Sequence, residues 1–221
     1  HMYQPKLVLL ALTTSLVLMS CGGSSNNSSD TDIESPPPPP PATTQSTQTT
    51  GVITGFGSVF INGVEYETDN SEVTTDDNDS ANETDLHVGM IVRLSGTVND
   101  DGTTGNADSI HYDEQLKGPL DSIDLVASSM VVLGQTVIFD DLTSLDNLVL
   151  ADLIPGDFLE ISGFYNADDE LYATRIEKED ADSQLKLQGS ISELNTENKT
   201  FMLANLTINY SEAEFERFTE E

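Results

Sequence analysis

The chain has no tryptophan, one cysteine and only 8 basic residues among 221. A single thiol, Cys21, excludes an internal disulfide and a CxxC metal site. Because 39 acidic residues bring the formal net charge to −31, a basic patch for nucleic acid is excluded. The same charge makes anionic membrane surfaces poor partners for the folded part. Hydrophobic residues still form 37% of the chain, too many for a wholly disordered acidic polymer.

The N-terminal residues are typical of an export signal. After Lys6, an apolar run from Leu7 to Met19 contains only three hydroxyl residues; it fits a signal-peptide core and is short for a membrane span. Leu-Met-Ser-Cys at 18–21 then resembles the lipobox of bacterial lipoproteins. The resemblance implies cleavage before Cys21, acylation of its thiol and, because Gly22 follows, sorting to the outer membrane of the cell envelope. The alternative is an ordinary secretory signal with an incidental cysteine.

A polar tether follows the cysteine. Residues 22–50 are mostly Ser, Asn, Thr, Gln and Pro, and Pro36–Pro41 form an unbroken run. This composition buries too little apolar surface to offset the entropy of ordering, so we expect a disordered spacer with a stiff polyproline II segment. A ligand motif for a proline-binding domain is the alternative.

An internal repeat organises the remaining residues. One pattern begins at Gly51, Gly118 and Gly189, at offsets of 67 and 71 residues. It consists of a glycine, an apolar residue two positions later, and a second apolar residue three positions after the first. Residues 89–96 align with 156–163, and their alternation predicts a half-buried strand with Arg93 and Glu160 pointing outward.

Two further segments of the repeat predict local structure. A spacing of three residues, between Ala107 and Ile110 and again between Ala173 and Ile176, breaks the alternation and indicates a β-bulge. Ser144–Leu153 is interpreted as a short amphipathic helix, and the corresponding polar stretch Thr74–Asp85 as a loop.

The predicted fold class is all-β. About five strands in roughly 65 residues are too few for an immunoglobulin-like sandwich and favour a five-stranded OB-like Greek-key barrel. The expected organisation is a signal peptide at 1–20, a lipidated linker at 21–50, barrels at 51–116 and 117–183, and a partial third repeat at 184–221. Ser211–Glu214 resembles a capping box at the start of a helix.

The partial repeat leaves two hypotheses. Counterparts of residues 156–178 are absent from it, so either the chain is a fragment of a longer protein or another chain completes the third sheet. The second hypothesis predicts self-association through an exposed edge at Ile191, Leu203 and Ile208.

The motif Gly51–Val64 (GVITGFGSVFINGV), with 89–96 and 107–110, resembles a bacterial family of domains of unknown function. The resemblance covers residues 51–221 as two full copies and a partial one, although the second copy lacks the Thr-Gly-Phe-Gly of the first. It implies an OB-like barrel that recurs in tandem in secreted proteins and lipoproteins. It assigns no catalytic or binding residue.

Acidic loops are the candidate metal sites. Asp76, Asp77 and Asp79, and separately Asp100 and Asp101, offer carboxylates to calcium, but neither group has the spacing of an EF-hand. Weak cation condensation on the surface is the simpler interpretation, so no cofactor is expected, with Ca²⁺ as the alternative.

No convergent catalytic set is visible in the sequence. Ser109, His111 and Asp113 would share one strand face, whereas a triad converges from separate segments; His87 is expected to be structural. The absence of tryptophan weakens a sugar-binding function, and Tyr66, Phe139, Phe164 and Tyr165 are the remaining candidate stacking platforms. Most of them are expected to pack in the core or at its rim.

These patterns predict a lipid-anchored envelope protein with a non-enzymatic binding or structural role and no nucleic-acid partner. The anchor makes the membrane one partner, and the sequence identifies no protein or glycan ligand. One alternative is a calcium-dependent adhesin or self-assembling envelope subunit. Another is the accessory region of an enzyme whose site lies beyond residue 221.

Overall fold

A computed structural model describes residues 45–76, 78–180 and 184–214. The predicted signal peptide, Cys21 and the proline run lie outside these residues. Strands dominate the described part, with two single-turn 3-10 helices at Glu83–Asp85 and Leu150–Asp152. None of the helices there has the length and apolar character needed to cross a membrane.

The first barrel is closed by a parallel pairing. Its strands are β1 (Gln45–Gly55), β2 (Val59–Ile61), β3 (Val64–Glu67), β4 (Glu72–Thr75), β5 (Asn78–Ala81), β6 (Ile91–Val98) and β7 (Thr104–Tyr112). The order β3-β2-β1-β6-β7 closes where β3 runs parallel to β7, and the β4–β5 hairpin extends β7. Because β1 begins at Gln45, residues 45–50 of the expected linker pair with β6.

The second barrel repeats this plan. Its strands are β8 (Leu116–Asp124), β9 (Ser129–Val132), β10 (Gln135–Ile138), β11 (Ser144–Asp146), β12 (Phe158–Tyr165) and β13 (Leu171–Glu179). The order β10-β9-β8-β12-β13 closes through a parallel β10–β13 pairing. The prediction of tandem five-stranded barrels is therefore confirmed.

Each barrel has its own core. Alternate residues of β6 and of β12, the fourth strand of each five-stranded barrel, point inward. Val92 and Leu94 on β6, and Leu159 and Ile161 on β12, are at most 2% exposed. They belong to two separate clusters of buried side chains, one for each barrel. The strand alternation predicted from residues 89–96 and 156–163 thus points to the correct faces.

The predicted bulges are present. The register shifts where Ser95 and Gly96 face Ser109 and Ala107, and the corresponding shift occurs in the second barrel between Ser162 and Gly163. A Cβ on Gly163 would lie 2.4 Å from the carbonyl oxygen of Tyr172. The glycine therefore allows the two strands to approach at the bulge.

The predicted helix at Ser144–Leu153 is wrong. Residues Ser144–Asp146 form β11, parallel to β13, and only Leu150–Asp152 make a 3-10 turn. The predicted loop at Thr74–Asp85 is also wrong in part, because β4, β5 and a 3-10 turn occupy it. In both barrels the free edge of the fifth strand takes up this segment as a further strand.

The partial repeat forms a three-stranded antiparallel sheet. After the short β14 (Lys186–Leu187), which pairs with β8, the sheet contains β15 (Ile191–Asn195), β16 (Thr200–Leu203) and β17 (Leu206–Asn209). The Ser211 capping box begins in a turn, and the helix predicted beyond Glu214 lies outside the described residues.

Replacing Gly163 by alanine should destabilise the second barrel. The new Cβ meets backbone that cannot move without breaking the bulge, so we expect a loss of about 1–3 kcal/mol in the free energy of unfolding. Gly55→Ala is the matched control, since the nearest atom to its Cβ would be 3.7 Å away. Urea unfolding of both variants measures the difference, and equal stabilities would contradict the close-approach argument.

Candidate functional site at the junction of the barrels

The two barrels meet through a buried hydrogen-bond network. Tyr112, the last residue of β7, donates its hydroxyl proton to Oε1 of Glu160 on β12, at 2.6 Å. The same hydroxyl oxygen lies 3.0 Å from Oγ of Ser162. All three residues are buried. Burial, together with the neighbouring carboxylate, raises the pKa of Tyr112 well above its ordinary value, so the phenol stays a proton donor at neutral pH.

A buried ion pair extends this network. Lys117 on β8 stands opposite Glu160 on β12, and its Nζ lies 2.9 Å from Oε2 of Glu160. Oε1 of Glu114 is 3.6 Å from the same ammonium. The three side chains are at most 9% exposed. Removing either the Lys117 ammonium or the Glu160 carboxylate would therefore leave the other charge buried without its partner.

A second cation is held beside this pair. The ammonium of Lys186, on β14, contacts the carboxylates of Asp76 and Asp113 and lies 3.6 Å from Oε2 of Glu114. Asp76 and Asp113 come from the first barrel and the connection after it. Lys186 thus binds the start of the third repeat to the junction.

His111 lies beside the carboxylates of Asp76 and Asp113. Its Nδ1 lies 2.8 Å from Oγ1 of Thr74, and its Nε2 lies 3.4 Å from Oδ1 of Asp76. Ligand atoms of Asp76, His111 and Asp113 are all within 4.8 Å of one another, a spacing that suits a metal ion. The Lys186 ammonium contacts both carboxylates and offsets one of their two negative charges, so the arrangement is already an ion-pair cluster without a metal.

The two barrels also meet in a close contact at Gly89, beside a cleft. Oγ1 of Thr174 donates to the carbonyl oxygen of Gly89 at 2.6 Å, and a Cβ on Gly89 would lie 2.5 Å from the carbonyl oxygen of Thr174. The cleft, of about 590 Å³, is lined by residues of both barrels, among them Phe56, Val88 and Leu145.

Arg175 lies at the base of this cleft. Its Nη2 donates to Asp146 and to Glu177, each at 2.7 Å, and the side chain is 3% exposed. The bond from Arg175 lowers the pKa of Asp146, whose carboxylate is also 4.0 Å from Nδ1 of His87. Glu177, two residues later on β13, is thus held by the same arginine as Asp146.

The other calcium candidates that the structure describes stand on different elements. Asp79 is exposed on β5, and Asp77 lies outside the described residues. Asp100 and Asp101 stand in the β6–β7 turn, where Asp101 accepts the backbone N–H groups of Thr103 and Thr104. With the Thr104 hydroxyl, these bonds lower the pKa of Asp101 to about 2. Asp101 thus stabilises the turn, and calcium binding stays a prediction.

The candidate stacking platforms divide by burial. Tyr66 and Phe139 belong to the two cores. Tyr165 is half-buried and donates to the carbonyl oxygen of Gln188, whereas the Phe164 side chain is 47% exposed. Phe164 is therefore the one of the four that is open to a partner.

The junction was not predicted from the sequence. Glu160 does point away from its own core, but it is 7% exposed, so the prediction that it faces solvent is wrong. Tyr112 and Lys117 cover it. The available signal was the scarcity of cations: Lys117 and Lys186 stand close to the repeat boundaries of a very acidic chain. Arg93, which corresponds to Glu160 in the first barrel, is exposed as predicted.

Comparison with known families agrees with this architecture. The model of a domain of unknown function, DUF5666, matches residues 50–110 and again 117–177, which together make up more than half of the chain. The chain therefore belongs to the DUF5666 family, as two tandem copies. No curated protein matches it. The residue bounds predicted for the domains, and the lipidation of Cys21, stay predictions.

Replacing Lys117 by methionine should strongly destabilise the protein. Methionine keeps most of the side-chain length but leaves Glu160 buried without its cation and Glu114 with the Lys186 contact, at a cost of about 3–5 kcal/mol. Lys178→Met is the control, because Lys178 is 40% exposed and its pair with Asp157 should contribute less than about 1 kcal/mol. Thermal and urea unfolding measure both, and similar losses would contradict a special role for the buried pair.

Proposed function

We propose that this protein is a lipid-anchored component of the bacterial cell envelope. Its rigidly joined β-barrel modules have a binding or structural role rather than a catalytic one. The observation that carries the proposal is the junction itself. Its charged and hydroxyl side chains contact each other across the module boundary, in an arrangement suited to fixing two domains.

The sequence supports the anchor. The apolar run ending at Met19, the lipobox-like residues 18–21 and the polar tether that follows have the order found in lipoproteins. Two or more acyl chains on Cys21 would hold the protein stably at a membrane, whereas one chain gives only marginal binding. Gly22 after the cysteine favours the outer membrane, and the tether would hold the barrels away from its surface.

The surface charge keeps the modules well hydrated and restricts the partners that they can bind. With a net charge of −31, the modules repel phosphate backbones and anionic headgroups at low salt. Partners are therefore expected to be neutral or basic proteins, or neutral glycans. Phe164 and the cleft at Phe56, Val88 and Leu145 are apolar surfaces available for such contacts.

The calcium-dependent adhesin remains the second candidate function. Asp76, His111 and Asp113 have suitable spacing for a cation, which favours it. The ammonium of Lys186, in contact with both Asp76 and Asp113, favours the version without a metal, because a protein cation already occupies this position and offsets one of the two charges.

Labelled palmitate tests the anchor. Expressed in a bacterium as the full chain, the protein should incorporate the label and fractionate with membranes, and Cys21→Ala should lose both properties because the acylated thiol is gone.

The control variant is Ser20→Ala, which keeps a small residue before the cysteine and should still be labelled. Label that persists in Cys21→Ala would refute the anchor, as would an unlabelled full chain.

A further inference from the structure

The cleft between the two barrels has an apolar half. Phe56 and Val88 of the first barrel and Leu145 of the second line it, and they are 41%, 42% and 41% exposed. All three side chains stand outside the two core clusters, so neither core accounts for them. Apolar side chains from both barrels therefore border one space, where a single bound partner would remove them from water together.

The other half of the cleft is polar. Thr84 and Ser144 bring hydroxyl groups to it, and Glu83 and Asp146 bring carboxylates. Arg175 adds a guanidinium group at the base. Hydroxyl groups donate and accept hydrogen bonds, carboxylates accept them, and the guanidinium donates them. A ligand that fits this half needs donors and acceptors side by side.

Arg175 has a donor that the protein does not use. Its side chain is 3% exposed, and its Nη2 is bonded to Asp146 and Glu177. Its Nε is buried and has no hydrogen-bond partner among the residues that the structure describes. Because a buried donor without a partner is costly, this N–H group indicates a ligand oxygen that accepts from it.

The charges around the cleft restrict the kind of ligand. The carboxylates of Glu83, Asp146 and Glu177 outnumber the one guanidinium of Arg175, and the whole chain has a net charge of −31. Anionic ligands are therefore repelled. Ammonium and guanidinium groups are attracted, but they have no acceptor for the Nε of Arg175. A neutral ligand that carries hydroxyl groups meets both conditions.

The cleft is formed before any ligand binds. Its volume of about 590 Å³ lies within the range of about 300–1,000 Å³ that is usual for small-molecule sites, which often lie at domain boundaries. The 2.6 Å hydrogen bond from Thr174 to the carbonyl oxygen of Gly89 joins the two barrels beside it. Binding in such a preorganised site loses little conformational entropy.

We propose that this cleft binds a neutral oligosaccharide. A sugar ring has a face of C–H groups, which packs on Phe56, and hydroxyl groups around its rim, which accept from Arg175 and donate to Asp146. The inference rests on the binding role proposed for the modules and names the class of ligand. It does not depend on the lipid anchor.

Calorimetric titration of the full chain with neutral tetrasaccharides tests the proposal. The probes are tetrasaccharides of glucose, mannose, galactose and N-acetylglucosamine, with tetragalacturonate as the acidic comparison. At least one neutral probe should bind at one site per chain, and tetragalacturonate should bind at least about tenfold more weakly. The amide NMR signals of residues 83–88 and 144–146 should shift in the complex. Binding of none of the neutral probes would overturn the proposal.

Two exposed phenylalanines provide the matched variants. Phe56→Ala should weaken binding about tenfold, because the ring that carries the sugar is lost. Phe164→Ala is the control, since Phe164 is 47% exposed on β12 and does not line the cleft, and it should bind as the unmodified chain does. Both variants should keep the urea midpoint of the unmodified chain. Undiminished binding by Phe56→Ala, or an equal loss in both variants, would overturn the proposal.

A lysine-rich peptide represents the other class of partner. Shifts of the same amide signals by this peptide, with no neutral saccharide bound, would show a site for cations and would overturn the proposal. Cys21→Ala should bind the saccharide as the unmodified chain does, because the thiol is not part of the cleft. Saccharide binding and palmitate labelling are therefore lost or kept independently, and the two proposals fail separately.

Discussion

The structure depends on a charged pair that lies out of water at the boundary between two domains. Lys117 and Glu160 belong to neighbouring strands of the second barrel, yet the hydroxyl of Tyr112, from the first barrel, is bound to the same carboxylate. Desolvated charges cost several kcal/mol each unless their partners are well placed. The first barrel helps to satisfy a charge of the second, so the two cannot be separated without leaving that group short of a partner.

The tandem arrangement follows from how each barrel closes. A first strand shared by a meander and a hairpin, with a parallel pairing between strands three and five, closes the five-stranded ring. The rest of the fifth strand's edge pairs with a further strand. The fifth strand then serves a second purpose, because Thr174 contacts the glycine turn of the preceding module. One strand therefore both closes its own barrel and contacts the neighbouring barrel.

Much of the fold was predictable because it is written in periodicity. Alternation at residues 89–96 and 156–163 identified the buried faces, and the broken spacing at Ala107 identified a bulge. Ser144–Leu153 was misassigned because a short apolar stretch has similar signals as helix and strand, and a free sheet edge decided between them. Glu160 was misplaced for another reason. Alternation tells which side of a sheet a residue takes, but not that another domain covers that side.

A double-mutant cycle between Tyr112 and Glu160 tests most directly whether the barrels are energetically coupled. Tyr112→Phe, Glu160→Gln and the double variant are compared by urea unfolding. The account predicts a coupling free energy of about 1–3 kcal/mol, as expected for a buried hydrogen bond to a charged group. Additive effects, with a coupling free energy near zero, would show that the barrels are neighbours without being joined, and would contradict the account.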